Sequence, residues 1–144
     1  MINSRESIYA ALFALLSNVA TFNTASRRWK PWTEVATVDQ PAIFQVQRKE
    51  ESQTTTGQPT IWKLHVDVVI YVNTGGDLNV IASSLINPLL DAVAGLFDPN
   101  PTTFGKQTLG GLAHYARVSG PIETDEGVLG DQAFAVIPIE ILAL

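Results

Sequence analysis

Hydrophobic positions along the chain fall into two helical and several alternating blocks. Ile8, Leu12, Leu15 and Val19 recur at helical spacing, and Tyr9, Phe13 and Leu16 widen the stripe. The spacing predicts a helix over 4–20, buried on most sides. Asn3 followed by Glu6 reads as an N-x-x-E capping box at its start. "TFNTAS" (21–26) breaks it, and the proline-bounded stretch 31–41 is expected to be irregular, with a short strand near Val35. "AIFQVQRK" (42–49) alternates: Ala42, Phe44 and Val46 share one side, while Gln45, Gln47 and Lys49 share the other. That pattern predicts a half-buried strand. Residues 50–60 contain no apolar side chain and predict a solvated loop. In "IWKLHVDVVIYVN" (61–73), Trp62, Leu64, Val66, Val68, Ile70 and Val72 line one face; Lys63, His65 and Asp67 begin the other. At ~3.3 Å per residue this strand spans about 40 Å. A strand this long predicts a hairpin that projects from the body.

"TGGD" (74–77) reads as a turn, with Asp77 as helix cap. Ile81, Leu85, Leu89, Val93 and Leu96 then predict one kinked helix over 78–97, running through Pro88. Residues 98–111 are turn-rich, 112–120 read as a strand, 121–130 as a connection and 132–144 as a final strand. Pro138 within that last strand argues for an edge position or a bulge. No internal repeat is visible. The order predicts an α+β fold: a mostly antiparallel sheet with two main helices packed on one face, in a single domain over 1–144.

Charge narrows the partners. The 144 residues include 14 acidic and nine basic side chains, for a net charge of −5. Affinity for nucleic acid comes mostly from neutralising phosphates, so this balance argues against broad DNA binding. The chain has no cysteine, which removes disulfides and thiolate metal sites. The early apolar run "IYAALFALL" (8–16) is far short of the ~20 residues that cross a membrane. With Glu6 just before it, the run reads as a core helix rather than a secretory signal.

Against that background "RRWKPW" (27–32) stands out, packing Arg27, Arg28, Lys30, Trp29 and Trp32 into six residues. Basic residues interleaved with aromatics can hold nucleic acid, but the net charge opposes it. Pro31 interrupts any amphipathic membrane helix. Two readings stay open: a protein contact, where Trp and Arg often dominate binding, or tryptophans that pack the core beneath exposed arginines. The densest acidic stretch is "ETDEGVLGD" with Glu123, Asp125, Glu126 and Asp131. Hard cations want such oxygens, but the alternating calcium-loop pattern is missing, and a solvated connection explains the stretch as well. His65 and His114 fall on separate strands and would need proximity and a third group to bind metal or catalyse. No nucleophile elbow, phosphate loop or zinc-protease motif occurs, so no catalytic, cofactor-binding or metal residue is assigned.

The order of phrases carries a resemblance. "SRESIYAALFALL", "SRRW", "QPAIFQVQR", "INPLLDAV", "TLGGLAHYARVSG" and "IETDEGVLGDQAFAVIPIEIL" follow one another over nearly all 144 residues. The chain resembles the tail-terminator (tail-completion, minor tail protein U type) proteins of long-tailed bacteriophages and prophages. The resemblance implies a structural virion protein and no enzyme. It implies a ring of six copies that caps the tail tube, stops its growth and offers a surface to the head–tail connector. It implies assembly in the host cytoplasm and a final place at the head-proximal end of the virion tail. No sequence-specific nucleic acid, membrane or cofactor is expected, and an acidic subunit suits a lumen that passes DNA. The candidate subunit interface joins Arg27, Arg28, Trp29 and Trp32 to Glu123, Asp125 and Glu126 of a neighbour. Two alternatives remain: a small metal-dependent or small-molecule enzyme using His65, His114 and the acidic loop, or another neck or tail-tube component.

Overall fold

The computed structural model describes residues 1–98 and 106–144. The turn-rich reading of 98–111 lies in large part outside the described residues. Helix α1 (Arg5–Asn18) and helix α2 (Ala82–Gly95) lie on one face of a six-stranded sheet. The strands are β1 (Thr24–Ser26), β2 (Ala42–Gln53), β3 (Ile61–Asn73), β4 (Ala113–Val118), β5 (Glu123–Leu129) and β6 (Gln132–Ala143). Their order is β1-β2-β3-β6-β4, with β5 also on β6; only β1–β2 is parallel. The architecture is α+β, as the alternation of elements predicts.

β3 occupies the predicted span because its alternation is unbroken. Leu64, Val66, Val68 and Ile70 are buried under the helices together with Ile137, Ile139 and Ile141 of β6. Each such side chain contributes about 1.5–3 kcal/mol by leaving water. The start of α1 differs from the capping-box expectation. Ser4 caps the helix by accepting from the Ser7 N–H at 3.1 Å. Asn3 instead donates to the Leu112 carbonyl at 3.1 Å, tying the N-terminus to the loop before β4. Along α1's first turns, Glu50 of β2 accepts from Arg5 Nε at 2.7 Å and from the Tyr9 hydroxyl at 3.0 Å. Arg5 also stacks on Trp62, 4.8 Å from the ring centre. Burial and the Glu50 carboxylate push the Tyr9 hydroxyl well above its ordinary pKa.

Four further expectations are corrected. No strand forms near Val35; single 3-10 turns occupy Trp32–Glu34 and Thr37–Asp39, and the extra strand is β1, inside the presumed breaker. The strand expected over 42–49 runs on to Gln53 in register with Ile61, so the open loop is 54–60. Its projection is small. β3 overshoots β6 by Ile61 and Trp62 alone, and Thr55, Gln58 and Pro59 share a hollow with Met1, Ile2 and Leu144. α2 begins at Ala82, not 78, and Asp77 forms a local turn with the Asn79 N–H at 2.9 Å instead of capping it. The fourth is the acidic connection over 121–130, most of which is strand β5, paired with the first half of β6.

Pro138 lies in β6 between β3 on one side and the β4/β5 edge on the other. Its carbonyl accepts from the Ser119 N–H at 2.9 Å. In a strand the N and carbonyl of one residue face the same side, so the missing donor also faces Ser119. There β6 passes between the end of β4 and the start of β5, and no β3 ladder bond is lost.

Candidate protein-contact surface

Among the described residues no α-helix covers the second face of the sheet. Ala42, Phe44, Val69 and Tyr71 are buried there nonetheless, because the segment 27–41 crosses over them as a strap. Ala42, Ile43, Phe44 and Gln45 are therefore buried on both faces, where the alternation predicted half-burial. Polar side chains pin the strap. Gln40 Nε2 donates to the Val35 carbonyl at 3.1 Å and to Gln132 Oε1 of β6 at 2.8 Å. The Tyr71 hydroxyl donates to the Lys30 carbonyl at 2.9 Å and accepts from Trp29 Nε1 at 3.0 Å. Burial raises the Tyr71 pKa, so the hydroxyl keeps its proton for this bond.

The strap leaves a gap. Trp29 and Trp32 form one wall of a hollow of about 420 Å³ whose floor is Val46, Val69, Tyr71 and Phe134. Trp29 is 50% exposed, so half of a large aromatic surface faces water. Trp32 packs on the buried cluster beneath. The two open readings of "RRWKPW" thus divide between its tryptophans: Trp32 packs a core, and Trp29 borders an apolar hollow.

The arginines divide as well. Arg27 is engaged within its own chain: its guanidinium makes a two-pronged pair with Glu6 and reaches Gln47 Oε1 at 3.3 Å. Arg28 and Lys30 are exposed and have no carboxylate partner among the described residues. Of the acidic candidates, Glu126 is also committed internally. It accepts from the Ser83 N–H at 3.2 Å, in the first turn of α2, where Ile81 offers no capping side chain. Glu123 is exposed, while Asp125 is half-buried with one carboxylate oxygen lacking a partner.

The residues of the enzyme alternative are not brought together. Glu123 pairs with Val136 and Ala113 with Ala143, so the acidic strand and His114 sit at opposite ends of β6. Seven positions at ~3.3 Å separate them by roughly 23 Å. His114 lines the hollow beside the chain ends, whereas His65 Nε2 lies 3.5 Å from Glu51. No group of three His, Asp or Glu residues suited to a metal occurs among the described residues. A polar cluster that sequence reading missed surrounds the buried Glu140 on β6. It accepts from the Tyr115 hydroxyl at 2.8 Å, Arg117 Nη2 at 3.0 Å and Ser119 Oγ at 3.4 Å. The only sequence signal was a glutamate in the apolar run 133–143.

No family model and no curated protein matches the chain. Among solved structures 28 chains match. One of them covers 98% of this chain and 96% of its own length, at a TM-score of 0.53 and 19% identity. That likeness shows a shared fold. No helix among the described residues is long and apolar enough to cross a membrane.

Proposed function

We propose that the chain is a bacteriophage tail terminator. Six copies form a ring on the finished tail tube, stop its growth and present a surface to the head–tail connector. The ring assembles in the host cytoplasm and ends at the head-proximal end of the virion tail. One observation carries the reading beyond the resemblance: the sheet face opposite the two helices bears an apolar hollow walled by Trp29 and Trp32 and floored by Tyr71. Exposed apolar surface rimmed by polar residues marks protein contact, and Trp and Tyr are the residues that most often anchor it. The hollow carries few polar groups to orient a small substrate, so a structural role is favoured over an enzymatic one. The partners are other copies, the tail-tube protein and the connector; DNA passes through the ring without sequence recognition.

The test is electron microscopy of tails from a phage or prophage carrying this chain, with and without it. Loss of the chain is expected to give overlong tails that lack heads, and the purified protein should restore normal tails. Tails of normal length joined to heads in its absence would remove the reading.

A further inference from the structure

The turn between β3 and α2 carries side chains that its own subunit leaves uncovered. Leu78 is 95% exposed, Ile81 61% and Leu85 39%. Isolated exposed apolar side chains need no explanation, but Leu78 and Ile81 on the tip, followed by Leu85 within α2, mark a patch. The tip is held in shape. Thr74 N–H donates to the Asp131 carbonyl at 2.8 Å, and Asp77 accepts from the Asn79 N–H. Carboxylates collar it: Asp77 precedes Leu78, Asp131 lies against Gly76, and Glu126 sits at the first turn of α2.

The hollow on the sheet face opposite the two helices has complementary features. It is apolar and concave, where the tip is apolar and convex. Arg28 lines the adjoining hollow, which shares Trp29 and Val46 with this one, and Lys30 follows Trp29, its carbonyl bound by the Tyr71 hydroxyl; both are exposed and without a carboxylate partner among the described residues. Its own acid, Asp67, is held by Arg48 at 3.3 Å. Hollows of roughly 300–1,000 Å³ take a whole small ligand, so about 420 Å³ accommodates branched aliphatic side chains.

We propose that the tip at 78–81 of one subunit seats in the hollow between Trp29 and Trp32 of the next copy, with the tip's carboxylates against Arg28 and Lys30. The inference rests on the ring reading above and names its contact. Tip and hollow are different patches of one chain, so the contact is heterologous and propagates head to tail, closing only if the rotation closes. Charge sets orientation, and the apolar insertion sets affinity.

The test uses full-length protein in sedimentation over a concentration series, with melting temperature as the folding control. Leu78→Asp with Ile81→Asp removes the tip, and Arg28→Glu with Lys30→Glu reverses the rim. Each variant is expected to stay folded and to weaken self-association by roughly 30-fold or more. Mixing the two variants should give a one-to-one dimer, since one intact tip still meets one intact hollow. That pair also carries matched acid on both sides, so a second hollow variant, Val46→Arg in the floor, blocks the hollow without charge reversal. Because the chain lacks cysteine, Leu78→Cys with Val46→Cys supplies a trap for weak association. Oxidation should yield covalent oligomers, and either single variant only dimers at most. Self-association that both tip and hollow variants leave unchanged, or a double-cysteine protein that links no better than the single ones, would overturn the pairing. Closed rings that persist in the tip variant would sink the pairing and keep the ring. Open filaments linked through the two cysteines would keep the pairing and sink the ring.

Discussion

Arg27 holds Glu6 of its own chain with both terminal guanidinium nitrogens, joining the strap to the first turn of α1. The contact gives the arginine a job inside the subunit, so its reversal is not a clean probe of assembly. The hydrogen bond from Arg27 holds the Glu6 carboxyl below its ordinary pKa. Arg27→Glu would set two carboxylates against each other. Its expected effect is a lower melting temperature at pH 7, seen equally in dilute monomer, and Glu6→Arg in the same chain should restore it. Arg28→Glu should leave monomer melting unchanged. Equal melting shifts for the two arginines would show that the pair has no structural role.

Glu126 provides α2 with the cap that its own sequence lacks. Ile81 precedes the helix and has no side-chain acceptor for its first amides, so β5 supplies the carboxylate to the Ser83 N–H. A carboxylate at a helix N-terminus is worth ~0.3–1 kcal/mol. Glu126→Ala is expected to destabilise by about that amount in denaturant titration. Glu123→Ala, on an exposed position of the same strand, should lie within ±0.5 kcal/mol of wild type. Amide exchange should quicken in the first turn of α2 in the Glu126 variant alone.

Glu140 is 7% exposed and receives bonds from three donors. Burial alone would raise its pKa; hydrogen bonds from Tyr115 and Arg117 outweigh burial and bring it below the ordinary 4.5. A depressed folded pKa gives stability that is full above the unfolded value and is lost as pH falls through the folded one. Glu140→Gln is expected to cost about 1–3 kcal/mol at pH 7. Below pH 4.5 the gap between variant and wild type should narrow. A gap that stays constant into acid would show that the charge contributes nothing.

How much of this was legible follows from the period of each segment. β3 was readable from end to end because six apolar residues alternate without a break. The N-terminus of α2 was not, because Leu78 and Ile81 are apolar yet face water, and a period cannot distinguish a buried stripe from an exposed one. β5 was hidden by its charges, which suit an exposed edge where they discourage further pairing but resemble a loop in sequence. The strap and its hollow depend on contacts between residues some forty positions apart, such as Trp29 with Tyr71. "RRWKPW" was conspicuous by composition, but the separate roles of Arg27 and Arg28 depend on Glu6, which only the fold brings near.

The Tyr71 hydroxyl is the rivet between strap and sheet, donating to Lys30 and accepting from Trp29. Both bonds end on the segment that walls the hollow, so the hydroxyl fixes the wall's distance from the floor. Tyr71→Phe keeps the ring that packs on Phe44, 5.6 Å between centres, and removes only the oxygen. The lost hydrogen bonds should cost about 0.5–1.5 kcal/mol each at most. The larger effect should be local. With its indole N–H released, Trp29 should show red-shifted emission and faster quenching by iodide, read in a Trp32→Phe, Trp62→Phe background. If a preformed wall matters for association, Tyr71→Phe should also weaken self-association in sedimentation while its melting curve stays cooperative. Unchanged Trp29 emission in that background would mean that Gln40 and the apolar packing of the strap hold it without the hydroxyl, and that the hydroxyl network merely accompanies a wall already fixed by packing.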